Sequence, residues 1–312
     1  MDWTDRHCRY FLRIVAPCVR LYTEMIPAAA LVRGDAERLL AFDPAEHPVA
    51  LQLGGSEPAE LASAARLGED AGYDEINLNI GCPSDRVQSG RFGACLMAEP
   101  DRVAACVAAL RDAVAVPVTV KCRIGIDEED SDEFLETFVA TVANAGCAVF
   151  IVHARKAILK GLSPKQNREV PPLEYPRVYR LKAAFPELTI VINGGIAGTQ
   201  AVARHLEHVD GVMLGREAYH NPLWLGTLQA EFLSHGSWPA PSRDAVLRAF
   251  VPYVRARLAE GYRLHHMTRH ILGLYAGQPG ARRWRRFVAE RSSEPGAGCE
   301  VLTESLALLT GS

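Results

Sequence analysis

Glu75-Ile-Asn-Leu-Asn-Ile-Gly-Cys-Pro83 carries the pattern on which the fold is read. Ile76, Leu78 and Ile80 alternate with polar residues, the period of a strand, and Gly81 and Pro83 stop it. Asn79 leaves a polar group near the strand end. A loop rich in Gly, Ser and Arg follows, to Arg91-Phe-Gly-Ala-Cys95, and sets a thiol away from any apolar run. A polar strand end feeding a loop with a thiol is how α/β enzymes present reactive groups. Cys82 reads as part of the strand-end turn. The glycines around Cys95 imply a loop that approaches something closely.

Six more runs resemble this one, at 20–26, 48–54, 117–123, 149–155, 189–195 and 210–216. Helix-like segments separate them, such as 57–72 and 132–145. Alternation of this length predicts right-handed βαβ units and a parallel sheet. The runs also end alike, with Glu24, Gln52, Asn79, Lys121, His153, Asn193 and Arg216 after the apolar stretch. A (β/α)8 TIM barrel gathers all its carboxyl strand ends at one rim, whereas a doubly wound sheet would not. The count, however, is seven. Ahead of the first run stands a segment whose Thr4/Asp5, followed by Tyr10, Phe11, Ile14 and Val15, reads as a capped helix. The expectation is therefore an α/β TIM barrel lacking its first strand over 1–233, a linker at 234–241, and a small all-α helical domain at 242–312.

At 312 residues, with 48% hydrophobic and 23% charged residues, the chain has room for such an arrangement. No apolar stretch reaches the roughly 18 residues of a membrane span, and the acidic, polar start is unlike a signal peptide. The eight cysteines show neither CxxC nor Cys/His ligand spacing. No metal, no membrane association and a reduced cytoplasmic setting are expected. The net charge of −3 is split: from residue 241 on, eleven arginines and no lysine face six acidic residues. A basic appendage on an acidic body suits a polyanionic partner.

Two late strand ends suggest a phosphate site. Asn193-Gly194-Gly195 strips the backbone of side chains, and Gly215-Arg216 precedes a short helical stretch. In barrels, the loops after the last two strands and a helix start commonly hold a phosphate. Lys121 and His153 on neighbouring strand ends suit a phosphorylated cofactor, and a flavin gains from a cation near its pyrimidine edge. A lysine on a central strand is rarely structural. Gln52 and Asn79 fit the edge of a heterocycle, or simply cap the sheet.

With these residues in view, the chain resembles the flavin-dependent tRNA-dihydrouridine synthases, specifically the A-type bacterial subfamily acting at D-loop positions 20 and 20a. The likeness runs through Asp2-Trp-Thr-Asp-Arg-His-Cys-Arg-Tyr-Phe11, Leu21-Tyr-Thr-Glu-Met25, Ala50-Leu-Gln-Leu-Gly-Gly55 and Asn77 to Met97. It continues through Val120 to Gly125, His153 to Lys156, Gly161 to Glu169, Ile192 to Ile196, Gly215 to Tyr219, Thr268 to Tyr275 and Gly280 to Arg286. The resemblance implies an FMN-containing barrel, NADPH as co-substrate, tRNA as partner through its D-loop and elbow, and a monomer. By position it makes Cys95 the acid that protonates C5 of the uracil while reduced FMN gives a hydride to C6. It places Gln52, Lys121 and His153 on the flavin ring, and Asn193, Gly194, Gly195, Gly215 and Arg216 on its phosphate. Asn79 and Arg91 would meet the target nucleotide, and Lys165, Asn167, Arg168, Arg282 and Arg285 the tRNA.

Members of that family carry a strand ending Ala-Pro-Met just ahead of the Asp-Trp-Thr-Asp stretch. Here the sequence begins where that strand would finish, so weak FMN retention or poor stability is expected, and the flavin-to-protein ratio measures it. Two other readings stand beside the synthase. One is an FMN barrel reducing a free pyrimidine, which needs no arginine-rich tail. The other is a tRNA-binding protein whose incomplete barrel is catalytically impaired.

Overall fold

The computed structural model describes residues 3–84, 90–234 and 236–310. The centre of the loop before Cys95 (85–89) and His235 of the expected linker lie outside the described residues. Each sequence run forms a strand. These are β1 (Leu21–Tyr22), β2 (Ile26–Pro27), β3 (Val49–Gly54), β4 (Glu75–Ile80), β5 (Val118–Arg123), β6 (Val149–His153), β7 (Thr189–Asn193) and β8 (Gly211–Met213). The first run breaks into two short pieces, β1 and β2, which both lie beside β3. The order β1-β3-β4-β5-β6-β7-β8 follows the chain, and the registered pairs from β3 to β8 are all parallel. The sheet has the strand order of an α/β barrel, and among the described residues no pairing joins β8 to β1.

The chain forms two compact units. One comprises residues 22–41 and 49–214; the other comprises 1–21, 42–48 and 215–312. In the first, helices Pro58–Asp70, Pro100–Ala113, Asp132–Asn144, Tyr175–Ala184 and Thr199–Leu206 alternate with the strands. Leu51, Leu53, Ile76, Leu78, Ile80, Val120, Phe150, Val152, Ile190 and Ile192 are fully buried. Each such side chain contributes roughly 1.5–3 kcal/mol, which is why short β-branched runs suffice as strands here.

The second unit is helical. Helix Arg6–Val15 begins at Asp5, whose carboxylate accepts from His7 N and Cys8 N at 3.0 Å each. It packs on helix Arg243–Ala259: Phe11 meets Phe250 edge-on at 5.5 Å, and Tyr10 stacks on Tyr253 at 3.9 Å. The buried Arg9 guanidinium pairs with the buried Glu46 carboxylate at 2.6 Å. Helices Leu264–Thr268, Ala281–Arg291 and Glu300–Thr310 complete the tail. Among the described residues no helix is long and apolar enough to cross a membrane.

Candidate active site

The inward face of the sheet is polar to an unusual depth. Register pairs Gln52 with Asn77, Asn77 with Thr119, and Asn79 with Lys121, so these side chains stand on one face. Thr119 Oγ1 donates to Glu75 Oε1 at 2.6 Å and Tyr22 OH donates to the same oxygen at 3.2 Å. Asn77 Nδ2 donates to Thr119 Oγ1 (2.8 Å), Gln52 Nε2 to Asn77 Oδ1 (2.9 Å), and Asn79 Nδ2 to Gln52 Oε1 (2.8 Å). Every donor points toward the Glu75 carboxylate, so the anion fixes each amide orientation in turn. Glu75, Asn77 and Thr119 are buried at 3%, 0% and 1% exposure, which a polar group tolerates only when bonded.

The ladder reaches the thiol loop. Asn79 Oδ1 accepts from Gly81 N and Cys82 N at 3.0 Å each, closing the turn after β4. Cys82 O then accepts from Ala94 N at 2.9 Å. Cys95 follows within the 3-10 stretch Gly93–Ala98. Its half-buried Sγ donates to Phe92 O at 3.2 Å. Burial, and then the Glu99 carboxylate, push the thiol above its ordinary value, so it stays protonated at neutral pH. Gly54 is the close approach the loop demands: a Cβ there would meet Phe92 at 2.8 Å and the Met25 sulfur at 2.9 Å. A pocket of about 340 Å³ opens beside this loop, lined by Gly54, Gly55, Ser56, Arg91, Phe92 and Arg102 among others.

The β5–β7 ends are built differently. Lys121 Nζ donates to Asn193 Oδ1 at 3.2 Å, and Asn193 Nδ2 donates to Met213 O at 2.8 Å. Burial, with Arg123 nearby, brings the Lys121 ammonium down to about 8. Burial, then Arg123, Lys121 and Arg155, hold His153 well below its ordinary value, which leaves the imidazole neutral. Its Nδ1 is buried and, among the described residues, has no hydrogen-bond partner. Gly194 and Gly195 adopt φ of +119° and +62°, and a Cβ on either would press on Leu173. Tyr175 OH donates to Gly194 O at 2.7 Å and steadies that turn. Arg123 is internal: Nε donates to Gly81 O, and Nη1 to Lys156 O and Asn167 O, at 2.8–3.0 Å.

Cys95, Gln52, Asn79, Lys121, His153, Asn193, Gly194, Gly195 and Arg91 thus fall in the strand-bearing unit, as do Lys165, Asn167 and Arg168. Gly215, Arg216, Arg282 and Arg285 fall in the other. Lys165 and Arg168 are exposed. Asn167 is not: it has 0% exposure, accepts from Ile158 N, and donates to Ile158 O and Leu162 O. Its amide ties the basic loop together, which corrects the reading that set it on RNA. Arg91 is exposed, 3.9 Å from Glu99. Arg282 and Arg285 are exposed on a helix whose Trp284 and Val288 are buried. Glu75, Asn77, Thr119 and Tyr22 escaped the sequence reading, although Glu75, Asn77 and Asn79 stand at period two. All eight cysteines are free thiols, and among the described residues no group of three or more His, Cys, Asp or Glu could hold a metal ion.

The sequence profile of the dihydrouridine synthase (Dus) family matches residues 1–308. A tRNA-dihydrouridine(20/20a) synthase from Vibrio cholerae is 55% identical over 308 residues, covering 98% of this chain and 94% of that protein. One from Yersinia pestis is 57% identical over 315 residues, covering 100% and 90%. One from Escherichia coli is 56% identical over 310 residues, covering 99% and 93%. Agreement at this level over nearly the full length of both partners shows that the chain belongs to the dihydrouridine synthase family.

Proposed function

We propose that the chain reduces uridine to 5,6-dihydrouridine at positions 20 and 20a of the tRNA D-loop, as a cytoplasmic monomer with FMN as cofactor and NADPH as reductant. The observation that carries this reading is the Cys95 thiol. It is half-buried, anchored on Phe92 O, and kept protonated by its surroundings, as a general acid must be before the reaction.

The residues fit a flavin. Among the described residues His153 Nδ1 is a buried nitrogen lacking a partner, Lys121 is a part-buried cation whose side chain donates to Asn193, and the Gly194–Gly195 turn follows β7 with no side chain at either position. Gln52, Lys121 and His153 would hold the ring; Asn193, Gly194, Gly195, Gly215 and Arg216 would hold the phosphate. Bound there, a flavin reduced by NADPH would supply the hydride for uracil C6. Cys95 passes its proton to C5 and recovers one from water. Lys121 offsets negative charge at the ring, and neutral His153 offers a hydrogen bond without adding a second cation. Asn79 keeps one Nδ2 hydrogen for the uracil while its other bonds hold the Cys82 turn.

The target base is stacked within folded tRNA and has to be extruded to react. Arg91, Lys165, Arg168, Arg282 and Arg285 would supply the phosphate contacts that give most of the affinity. In this reading residues 1–233 do the chemistry, 234–241 link, and 242–312 grip the tRNA. Mapping dihydrouridine in tRNA from a strain lacking the activity, with and without this chain, tests it. Appearance of the base at 20 and 20a, absent with Cys95→Ala, is expected. No product from flavin-loaded chain with NADPH overturns it, and turnover of free uracil or orotate alone points to the small-pyrimidine reductase instead.

A further inference from the structure

The helical unit carries an aromatic and basic surface that none of the roles above uses. Trp3 is 39% exposed and stacks on Tyr219, with ring centroids 4.6 Å apart and planes 37° apart; the His220 ring meets it edge-on at 5.4 Å. An exposed tryptophan alone needs no explanation. This one is held rigidly. Tyr219 OH lies 3.1 Å from His270 Nδ1, and His270 Nε2 lies 3.0 Å from the Asp5 carboxylate. Arg269 Nη2 also donates to Asp5, at 2.6 Å. Asp5, which caps helix Arg6–Val15, stands two residues from Trp3. Burial opposes the charge on Asp5, but the His270 hydrogen bond and its neighbours hold the carboxyl well below the usual range.

The same unit carries cations on the segments that follow Trp3 and precede His270. Arg6 Nη1 lies 3.4 Å from Tyr262 OH, its guanidinium sits 6.0 Å over the Tyr262 ring, and its Nε has no hydrogen-bond partner. Arg263 follows Tyr262 and is exposed, as are His266 and Arg269 on the same short segment. Arg269 is balanced by Asp5, whereas neither Arg6 nor Arg263 has a carboxylate within ion-pair distance among the described residues. An immobilised aromatic face flanked by uncompensated arginines matches an unpaired nucleobase with its neighbouring phosphates.

We infer that the Trp3–Tyr219 pair is a stacking platform for an unpaired nucleobase of the bound tRNA, with Arg6 and Arg263 taking the flanking phosphates. The inference rests on the tRNA reading proposed above and adds to it a second recognition surface, apart from Arg282 and Arg285. The platform is sequence-tolerant, because every base has a π-face, and it is preorganised by the Asp5–His270–Tyr219 chain.

The test is the affinity of the full chain for an unmodified tRNA transcript over a range of salt. Trp3→Ala should weaken binding about tenfold with an unchanged salt slope, since stacking releases no counterions. Trp3→Phe, which keeps an aromatic face, should recover most of that loss. Arg263→Gln should lower the slope by about 0.7 to 0.9, the effect of one phosphate contact. Comparing wild type with Trp3→Phe, a short oligouridylate should quench the Trp3 share of the fluorescence and a blunt RNA duplex should not. Wild-type affinity in Trp3→Ala, or equal quenching by the duplex, overturns the platform and leaves the synthase reading standing. Failure of the wild-type chain to bind tRNA at all overturns both.

Discussion

The two halves of the polar sheet interior differ in how completely their side chains are bonded. On β3, β4 and the start of β5, Gln52, Asn77, Asn79, Thr119 and Glu75 form a continuous ladder. On the ends of β5, β6 and β7, among the described residues, Lys121 has one hydrogen bond and His153 Nδ1 has none. Both halves obey the same sequence rule, a polar residue closing an apolar run. The ladder half positions the Cys95 loop, and the unsaturated half keeps groups in reserve for a ligand. A buried cation and a buried unpaired nitrogen destabilise the protein alone and become useful only when something binds. The contrast therefore makes opposite demands on mutants of the two halves.

The largest effect should come from the thiol at the end of the ladder. Cys95→Ala should slow dihydrouridine formation by about 10² to 10⁴, the usual range for a general acid, while tRNA affinity and flavin content stay near wild type. Single-turnover kinetics with the flavin-loaded chain in excess over tRNA measures it. Equal loss of tRNA binding would mean that Cys95 holds the loop rather than the proton.

Lys121→Met sharpens the other side. The Lys121 ammonium is lowered from 10.5 to about 8 in the folded protein. Between those values the unfolded chain binds more protons, so this group makes stability rise with pH from about 8 to 10.5; below pH 8 the penalty is fully present. Removing the charge should raise the stability of the flavin-free protein near neutral pH by up to about 3 kcal/mol and flatten that rise. The same variant should retain flavin poorly. Denaturant melts at pH 7 and pH 10 test the sign, and a variant less stable than wild type would break the comparison.

Thr119→Val acts in the opposite sense. It leaves the Asn77 amide and Glu75 each without one partner inside a dry interior, at a cost of about 1–3 kcal/mol. With Asn77 free to turn, Gln52 and Asn79 lose their fixed orientation, and the Cys82–Ala94 tie to the thiol loop loosens. Stability should fall and kcat should drop while tRNA affinity holds. A stable variant with unchanged kcat would reduce the ladder to filler.

The strands were legible because alternating apolar residues bounded by Gly and Pro leave little choice, and 48–54, 75–81 and 117–123 shift by a residue at most. The ladder was not, since Asn77 and Thr119 look in sequence like solvent-facing partners of Ile76 and Val118. Their burial depends on the sheet curling so that both faces are covered, a tertiary fact. Asn167 misled for a related reason. Between Lys165 and Arg168 it reads as part of a basic loop, yet an amide can donate to and accept from backbone, and a loop folding on itself needs one such residue inside. The packing of Tyr10 and Phe11 on Tyr253 and Phe250 joins residues some 240 apart in the chain, beyond any local pattern.

His153→Asn should give the smallest shift in stability and the cleanest contrast between the halves. Among the described residues the imidazole Nδ1 has no hydrogen-bond partner and the ring's tie to the protein is to the Arg155 backbone, so at pH 7 stability should move by less than about 1 kcal/mol. Acid separates the two proteins. His153 stays neutral in the folded state well below its ordinary 6.5, whereas the unfolded chain takes up a proton near that value. The unfolded state then holds the extra proton, so wild-type stability falls as pH drops below about 6.5. The asparagine variant lacks that term and should lose less stability between pH 7 and 5. Flavin affinity should weaken in the same variant, because the nitrogen left unpaired in the protein is the one offered to the ring. A variant that melts like wild type in acid and binds flavin equally well would show that His153 is a packing residue, and the division of the sheet into a bonded half and a reserved half would rest on Lys121 alone.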